Sequence, residues 1–448
     1  MMWSKLHARI SKLITPEKGP VNGPSSGLGA LGNGSTRFIG LGPTLAAVLL
    51  ICLCAILLYV RYPGNFKSYE MGPPGDFKVY LRAWERVNGG ESPYVATDFS
   101  PYKYSPGVLG LIQVLPSAPV DAWFAFSTFC IVLFALALLA GARYRSWKDV
   151  LALGTGLGLA WKGILETLDY GQIEMLIFSI AIFSAATFAR FTFFSGLLLG
   201  ILPWLKLPWI LLVVPFVLAA SRMNSLSDAG EKKPPARRLR LFVSGFVFSS
   251  FIWGAAVPSL VFGPERAMSL SQAWLNVLKK QPPELFASNI NQSLWVTSTR
   301  MLSRLFGASG GQSSLLSLAI PALIAATLLG LLIRRRPKTV SSQDTMSWLT
   351  PWMIFIQLVN PLSWRWGSVY LVGALFSSRR SQFAKSPLAR NFLIEGVAVR
   401  PLLWGGVFVV WALQLNPVLR LMGIQHWTEL HGYGVVTIYW FLILLLCL

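Results

Sequence analysis

The chain alternates long apolar runs with short polar breaks. Apolar runs occupy 38–60, 121–142, 150–165, 172–189, 192–205, 207–220, 241–262, 313–333, 346–359, 362–376, 401–421 and 432–448. A helix needs about 20 mostly apolar residues to cross the hydrocarbon core of a bilayer, and several of these runs reach that length. No period-two alternation of the transmembrane β-barrel kind breaks them up. The pattern predicts an all-α polytopic membrane protein with about ten to twelve transmembrane helices. Runs such as 192–205 and 207–220 are shorter than a full span. Short segments of this kind fit only where protein, rather than lipid, surrounds the backbone ends. Residues 105–115 are read as a helix that enters the membrane partway, because a full crossing there would put the N-terminal tail and the 222–240 loop on opposite sides.

Composition agrees. Hydrophobic residues make up 54% of the chain, charged residues 13%, and the mean hydropathy is +0.56. Soluble proteins carry about twice that charge fraction. The formal net charge of +21 does not indicate a nucleic-acid partner, because Lys and Arg sit in short clusters between the apolar runs. That placement follows the positive-inside rule. The clusters are Lys5/Arg9/Lys12/Lys18/Arg37, Arg143/Arg145/Lys148, the 222–240 loop, Arg334/Arg335/Arg336/Lys338 and Arg379/Arg380/Lys385/Arg390. All are assigned to the cytoplasm together with both termini, which leaves 61–104 and 263–312 on the opposite face. The expected organisation is a basic amphipathic helix and flexible linker over 1–37, a first membrane module over 38–221 carrying a long external loop at 61–104, a cytoplasmic loop over 222–240, and a second module over 241–448 with its own external loop. Trp3, Leu6, Ile10 and Leu13 at helical spacing, interleaved with Lys5, Arg9 and Lys12, suit a helix lying on an anionic membrane surface.

Metal chemistry is not expected. Cys52, Cys54, Cys130 and Cys447 all lie inside apolar runs without ligand spacing, and His7, His426 and His431 are too scattered for zinc. No Gly-rich nucleotide-binding loop occurs, which argues against a soluble nucleotide-sugar donor.

The polar breaks carry the candidate chemistry. On this topology Asp76, Asp169-Tyr170-Gly171-Gln172, Pro203-Trp204-Leu205-Lys206, Asn291-Gln292-Ser293 and Asn360-Pro361-Leu362-Ser363-Trp364-Arg365 all reach the external face. A carboxylate at Asp76 can accept a proton from an incoming hydroxyl. From residue type alone, a solvated carboxylate paired with Lys78 or Arg82 is the commoner case. Lys206, between Pro203 and Pro208, is costly in apolar sequence unless it faces a polar cavity or snorkels to the interface. Arg300 follows Asn291-Gln292-Ser293 by about two helical turns and reads as a phosphate partner or a loop ion pair. Lys162 and Glu166 are spaced to pair on one helix face, while Glu174 and Asp169 are alternatives for binding sugar hydroxyls.

Taken in order, Asp76 with Tyr80, Gly90-Glu91-Ser92-Pro93-Tyr94, Tyr102-Lys103-Tyr104-Ser105-Pro106, Gly171-Gln172, Gly200 with Lys206, Asn291-Gln292-Ser293 and Pro361-Leu362-Ser363-Trp364 form a series. This series resembles glycosyltransferase family 87, the polyprenyl-phosphate-dependent mannosyltransferases, from about residue 38 to residue 376. The resemblance implies a C-type membrane glycosyltransferase fold, a sugar donor on a polyprenyl monophosphate, a glycolipid or glycan acceptor and inversion at the anomeric carbon. It implies work at the external face of a bacterial inner membrane, with membrane lipids as the remaining partners and with no cofactor. Asp76 becomes the catalytic base. Lys206, Arg300 and Arg365 become donor-phosphate ligands. Tyr80, Tyr94, Tyr104, Gln172, Asn291 and Trp364 become sugar or acceptor contacts. Mannose is the first expectation for the sugar, with arabinofuranose or another pentose as the alternative. A glycolipid transporter is the out-of-class rival, since Lys162 and Glu174 fall outside the external band. Two positions depart from the family pattern: Arg365 stands where a histidine or aromatic is usual, and Glu174 where an amide is usual.

Overall fold

The computed structural model describes residues 41–66, 75–95, 101–142, 144–221, 235–280, 291–306, 313–334, 345–360, 365–378, 399–412 and 435–447. Among them every regular element is helical. The first module contains α1 (Leu41–Phe66), α2 (Gly75–Asn88), α3 (Pro106–Ile112), α4 (Pro119–Gly141), α5 (Trp147–Asp169), α6 (Glu174–Thr187), α7 (Thr192–Leu199), α8 (Leu202–Leu205), a 3-10 helix (Leu207–Leu212) and α9 (Val213–Ala220). The second contains α10 (Pro235–Phe251), which runs through a π-helical turn (Ile252–Ala256) into α11 (Val257–Phe262), then α12 (Pro264–Lys279), α13 (Leu294–Phe306), α14 (Ser313–Arg334) and α15 (Thr345–Val359). A 3-10 helix (Arg365–Gly373), α16 (Ala374–Ser378), α17 (Val399–Ala412) and α18 (Val435–Cys447) complete it. The amphipathic tail, the linker and most of the 222–240 loop lie outside the described residues.

Three of these stretches are long and apolar enough to cross a membrane: Leu41–Val60, Pro119–Gly141 and Ala236–Phe262. The pair Trp147–Asp169 and Glu174–Thr187 passes the same test together but bends by 119° at its break. Several other apolar runs form shorter helices, as their lengths predicted, and some follow one another in tandem, α7 with α8 and the first 3-10 helix with α9. Helix α1 shows what surrounds the fold. Ala47, Ile51, Cys54 and Leu58 are buried, at helical spacing on one stripe, while Leu41, Leu45, Leu49, Leu53 and Ile56 are exposed. An apolar outer face of that extent suits a hydrocarbon solvent, not water. Helix α15 is the reverse case, buried on all sides, which is where a helix apolar all round belongs.

Close backbone approaches hold the bundle together, as in membrane helix pairs generally. A Cβ on Gly196 of α7 would stand 2.2 Å from the Phe242 carbonyl of α10, and one on Gly245 would stand 2.1 Å from the Phe193 carbonyl. On α5, a Cβ at Gly156 would stand 2.1 Å from the Val372 carbonyl of the second 3-10 helix. Helix α18 closes this seam, with Trp440 Nε1 donating to Ser368 Oγ at 3.0 Å and Tyr439 Oη to the Leu159 carbonyl at 3.1 Å.

The region expected as an external loop at 61–104 contains α2, and that at 263–312 contains α12 and α13. The 105–115 segment forms the seven-residue α3, about 10 Å long and so unable to cross a bilayer. Helix α3 is wedged against the π-helical turn, where a Cβ on Gly107 would meet the Trp253 carbonyl at 2.4 Å.

Candidate active site

The site is built around a turn. Helix α5 begins at Ser146, where the Ser146 backbone N–H donates to Asp149 Oδ2 at 2.9 Å in a capping box. It ends at Gly171, whose φ of +67° is open to glycine. The Gln172 N–H donates to the Thr167 carbonyl at 2.7 Å and the Gly171 N–H to the Leu168 carbonyl at 3.0 Å. This pair of bonds is a Schellman ending. It delivers Glu174 into the first turn of α6, only 2% exposed.

Helix α2 docks against that turn. Gly75 takes a φ of +41°, and a Cβ there would lie 2.8 Å from the Tyr170 ring. A Cβ on Gly171 would lie 2.7 Å from Phe77 Cβ. The two glycines therefore let the start of α2 and the end of α5 interlock, which brings Asp76 within electrostatic reach of Glu174. Asp76 is partly exposed and forms no hydrogen bond or ion pair among the described residues. Neither Lys78 nor Arg82 claims it, so the solvated ion-pair alternative does not hold.

A second fastening brings in two lysines. The Ser105 N–H donates to the Trp204 carbonyl at 3.3 Å, and Trp274 Nε1 donates to the Lys103 carbonyl at 2.8 Å. The Trp204 and Trp274 rings lie 5.7 Å apart. Residues 102–105, the end of α8 and helix α12 are thereby pinned together, and Lys103 and Lys206 both face Asp76 electrostatically. Lys206 Nζ forms an ion pair with Glu174 Oε1.

Four buried tyrosines pack beside these charges. Tyr80 Oη donates to Tyr104 Oη at 2.8 Å, and Tyr94 Oη donates to the Tyr104 carbonyl at 2.9 Å. The Tyr102 ring lies 5.6 Å from those of both Tyr94 and Tyr104. Rings buried against one another in this way do not sit at the headgroup level, where tyrosine is common. Burial holds the Tyr80, Tyr94, Tyr102 and Tyr104 phenols well above their ordinary range, keeping them neutral hydrogen-bonding groups. Tyr102 Oη, Ser105 Oγ, Glu174 Oε2 and Tyr370 Oη are buried polar atoms without a hydrogen-bond partner among the described residues. Such atoms are rare in folded proteins and gather at functional sites.

The electrostatics suit proton transfer. Burial pushes the Asp76 carboxyl up to about 6, with Lys206 and Lys103 opposing and Glu174 reinforcing the rise. Burial brings the Lys103 ammonium down to about 8, with Asp76 opposing and Lys206 reinforcing the fall. Near neutral pH the carboxylate is mostly ionised yet basic, and the ammonium is mostly charged. That combination favours a general base beside a fixed cation.

The family profile for glycosyltransferase family 87 matches residues 102–361. The chain belongs to glycosyltransferase family 87. A search of curated proteins finds no match. The family assignment makes this a membrane glycosyltransferase, with a sugar donor and an acceptor as substrates. The matched stretch of this family 87 chain includes Lys103, Tyr104, Gln172, Lys206, Asn291 and Arg300, while Asp76, Tyr80 and Tyr94 precede it.

The remaining residues expected at the site make other contacts. Gln172 is buried beside the Schellman turn. Asn291 and Arg300 form a group of their own: Asn291 Oδ1 accepts from the Ser293 N–H at 3.1 Å, and Arg300 donates to the Asn291 carbonyl at 2.5 Å. Thr437 Oγ1 of α18 ties that group down by donating to the Gln292 carbonyl at 2.8 Å. The backbone of Arg365 opens the second 3-10 helix, and Trp364 lies outside the described residues. Sequence reasoning did not single out Lys103, Tyr102 or Tyr370 as site residues. The signal for Lys103 was its place between two tyrosines in Pro101-Tyr102-Lys103-Tyr104-Ser105-Pro106. No local pattern marks Tyr370.

Proposed function

We propose that this family 87 enzyme transfers a sugar, mannose first among candidates, from a polyprenyl phosphate to a hydroxyl of a glycolipid or glycan at the extracytoplasmic face of the inner membrane. The observation that carries this reading is Asp76: an acidic side chain with no hydrogen bond or ion pair among the described residues, at the start of α2, with Lys103 and Lys206 in reach. The donor's isoprenoid chain stays in lipid while its phosphate and sugar sit at the interface.

Asp76 accepts the proton of the acceptor hydroxyl. The freed oxygen forms a bond to the anomeric carbon as the bond from that carbon to the phosphate oxygen breaks. Attack from the face opposite the phosphate inverts the anomeric centre. The bonding electrons leave with the polyprenyl phosphate, whose oxygens gain charge and need fixed cations. Lys103 supplies one. Lys206 supplies another, since an ammonium has three donors and Glu174 takes one of them. Arg300 and Arg365 are further candidates from sequence. The tyrosine group and Glu174 Oε2 are suited to the sugar hydroxyls.

The test is transfer by purified protein in nanodiscs, with radiolabelled polyprenyl-phosphate mannose and a glycolipid acceptor. Transfer that falls by about a thousandfold or more in a folded Asp76→Asn variant supports the reading. Full transfer by that variant removes Asp76 from the mechanism. Transfer only from a polyprenyl-phosphate pentose changes the sugar, and movement of intact glycolipid across the bilayer without transfer replaces the reaction with transport.

A further inference from the structure

One lysine here has two carboxylates to choose from. Lys206 is paired with Glu174, yet it also acts on Asp76, and Asp76 itself has no partner among the described residues. Glu174 is held rigidly, on the first turn of α6 immediately after the Schellman ending of α5. Lys206 carries its ammonium on a flexible stem, its side chain 24% exposed against 2% for Glu174. A carboxylate that deep requires a counter-ion, because an isolated buried charge is strongly unfavourable. A partly hydrated carboxylate such as Asp76 has a weaker claim on the same ammonium.

We propose that Glu174 is a positioning residue that captures Lys206 and keeps it off Asp76, so that the base stays unpaired and ready to accept a proton. This rests on the reading of Asp76 as the general base. Without the glutamate, the lysine turns to Asp76, and a salt-bridged carboxylate is a poor proton acceptor. The groups that act on Asp76 are Lys206, Glu174 and Lys103, with the Tyr80 and Tyr104 phenols alongside. Those facing Glu174 are Lys206, Asp76, Tyr80, Tyr104, Tyr370 of the second 3-10 helix and Cys130 of α4. Lys206 is thus the mobile cation shared by the two acids.

The experiment is the pH profile of kcat/KM for the wild type, Glu174→Gln, Lys206→Met and the double variant, each normalised to its own plateau and checked for folding by thermal melt. Glu174→Gln is expected to move the acid limb down by roughly one unit, since it removes a negative charge and frees the lysine, and to lower the plateau about tenfold. Lys206→Met should move the limb up. The double variant should bring it back towards the wild-type position, however low its plateau. A Glu174→Gln profile depressed at every pH with an unmoved limb overturns the proposal, as does a double variant whose limb stays with the single one. If Glu174→Gln does not fold, the Lys206→Met limb decides, and an unmoved limb there is equally fatal. Failure of the underlying reading looks different: Asp76→Asn would then remain active with its acid limb intact.

Discussion

Gly171 and Phe77 occupy each other's space. A Cβ on Gly171 would lie 2.7 Å from Phe77 Cβ, and the glycine's φ of +67° already disfavours any other residue. The contact joins the end of one membrane helix to the start of the helix that carries Asp76, two elements far apart in sequence. Replacing Gly171 with alanine is therefore expected to lower stability by about 2 kcal/mol or more. Transfer should fall further than the folded fraction does, because Asp76 moves relative to Lys206. A thermal melt read beside specific activity checks both.

The pH dependence of transfer follows from two groups. Asp76 must be ionised, which requires a pH above about 6. Lys103 must stay protonated, which requires a pH below about 8. A bell-shaped kcat/KM profile with limbs near those values is expected, and Lys103→Met should abolish the alkaline limb and move the acid one up, because the Lys103 charge lowers the Asp76 carboxyl.

Asp76 weakens the fold near neutral pH. Its carboxyl titrates near 3.8 in an unstructured chain and at about 6 in the folded protein. The protonated form is thus favoured by folding, and the stability it contributes is lost as pH rises through 6. Asp76→Asn should be more stable than the wild type by about 1–3 kcal/mol at pH 7.5, and the gap should close below pH 4. Chemical denaturation at the two pH values measures it.

The crossing of α7 with α10 admits no side chain. Gly196→Val would drive a Cβ to 2.2 Å from the Phe242 carbonyl and should cost about 2–4 kcal/mol. Gly158→Ala is the control: nothing lies within 4 Å of its Cβ, and helix propensity makes it neutral or stabilising by up to ~1 kcal/mol. Melting temperatures of the two variants in the same detergent separate packing from propensity.

Asp76 and Lys206 were legible as candidates because a charge is conspicuous in a chain this apolar. So were the short helix α3 and the tandem short helices, since run length against bilayer thickness decides what can cross. Glu174 showed up as an oddity without a partner. The ion pair joining it to Lys206 runs from the first turn of α6 to the break between α8 and the first 3-10 helix, and nothing in either local stretch points to the other. The packing of Tyr94, Tyr102 and Tyr104 into one buried group with Tyr80 depends on the following chain folding back on α2.

Local chemistry was enough to settle that this chain is helical and lives in a bilayer. Those properties depend on period and composition, which neighbours in sequence already display. Which carboxylate holds the lysine, and which has no partner among the described residues, came from three-dimensional packing. That choice rests on relative burial and on a glycine-lined contact between distant helices, and neither exists until the chain has folded.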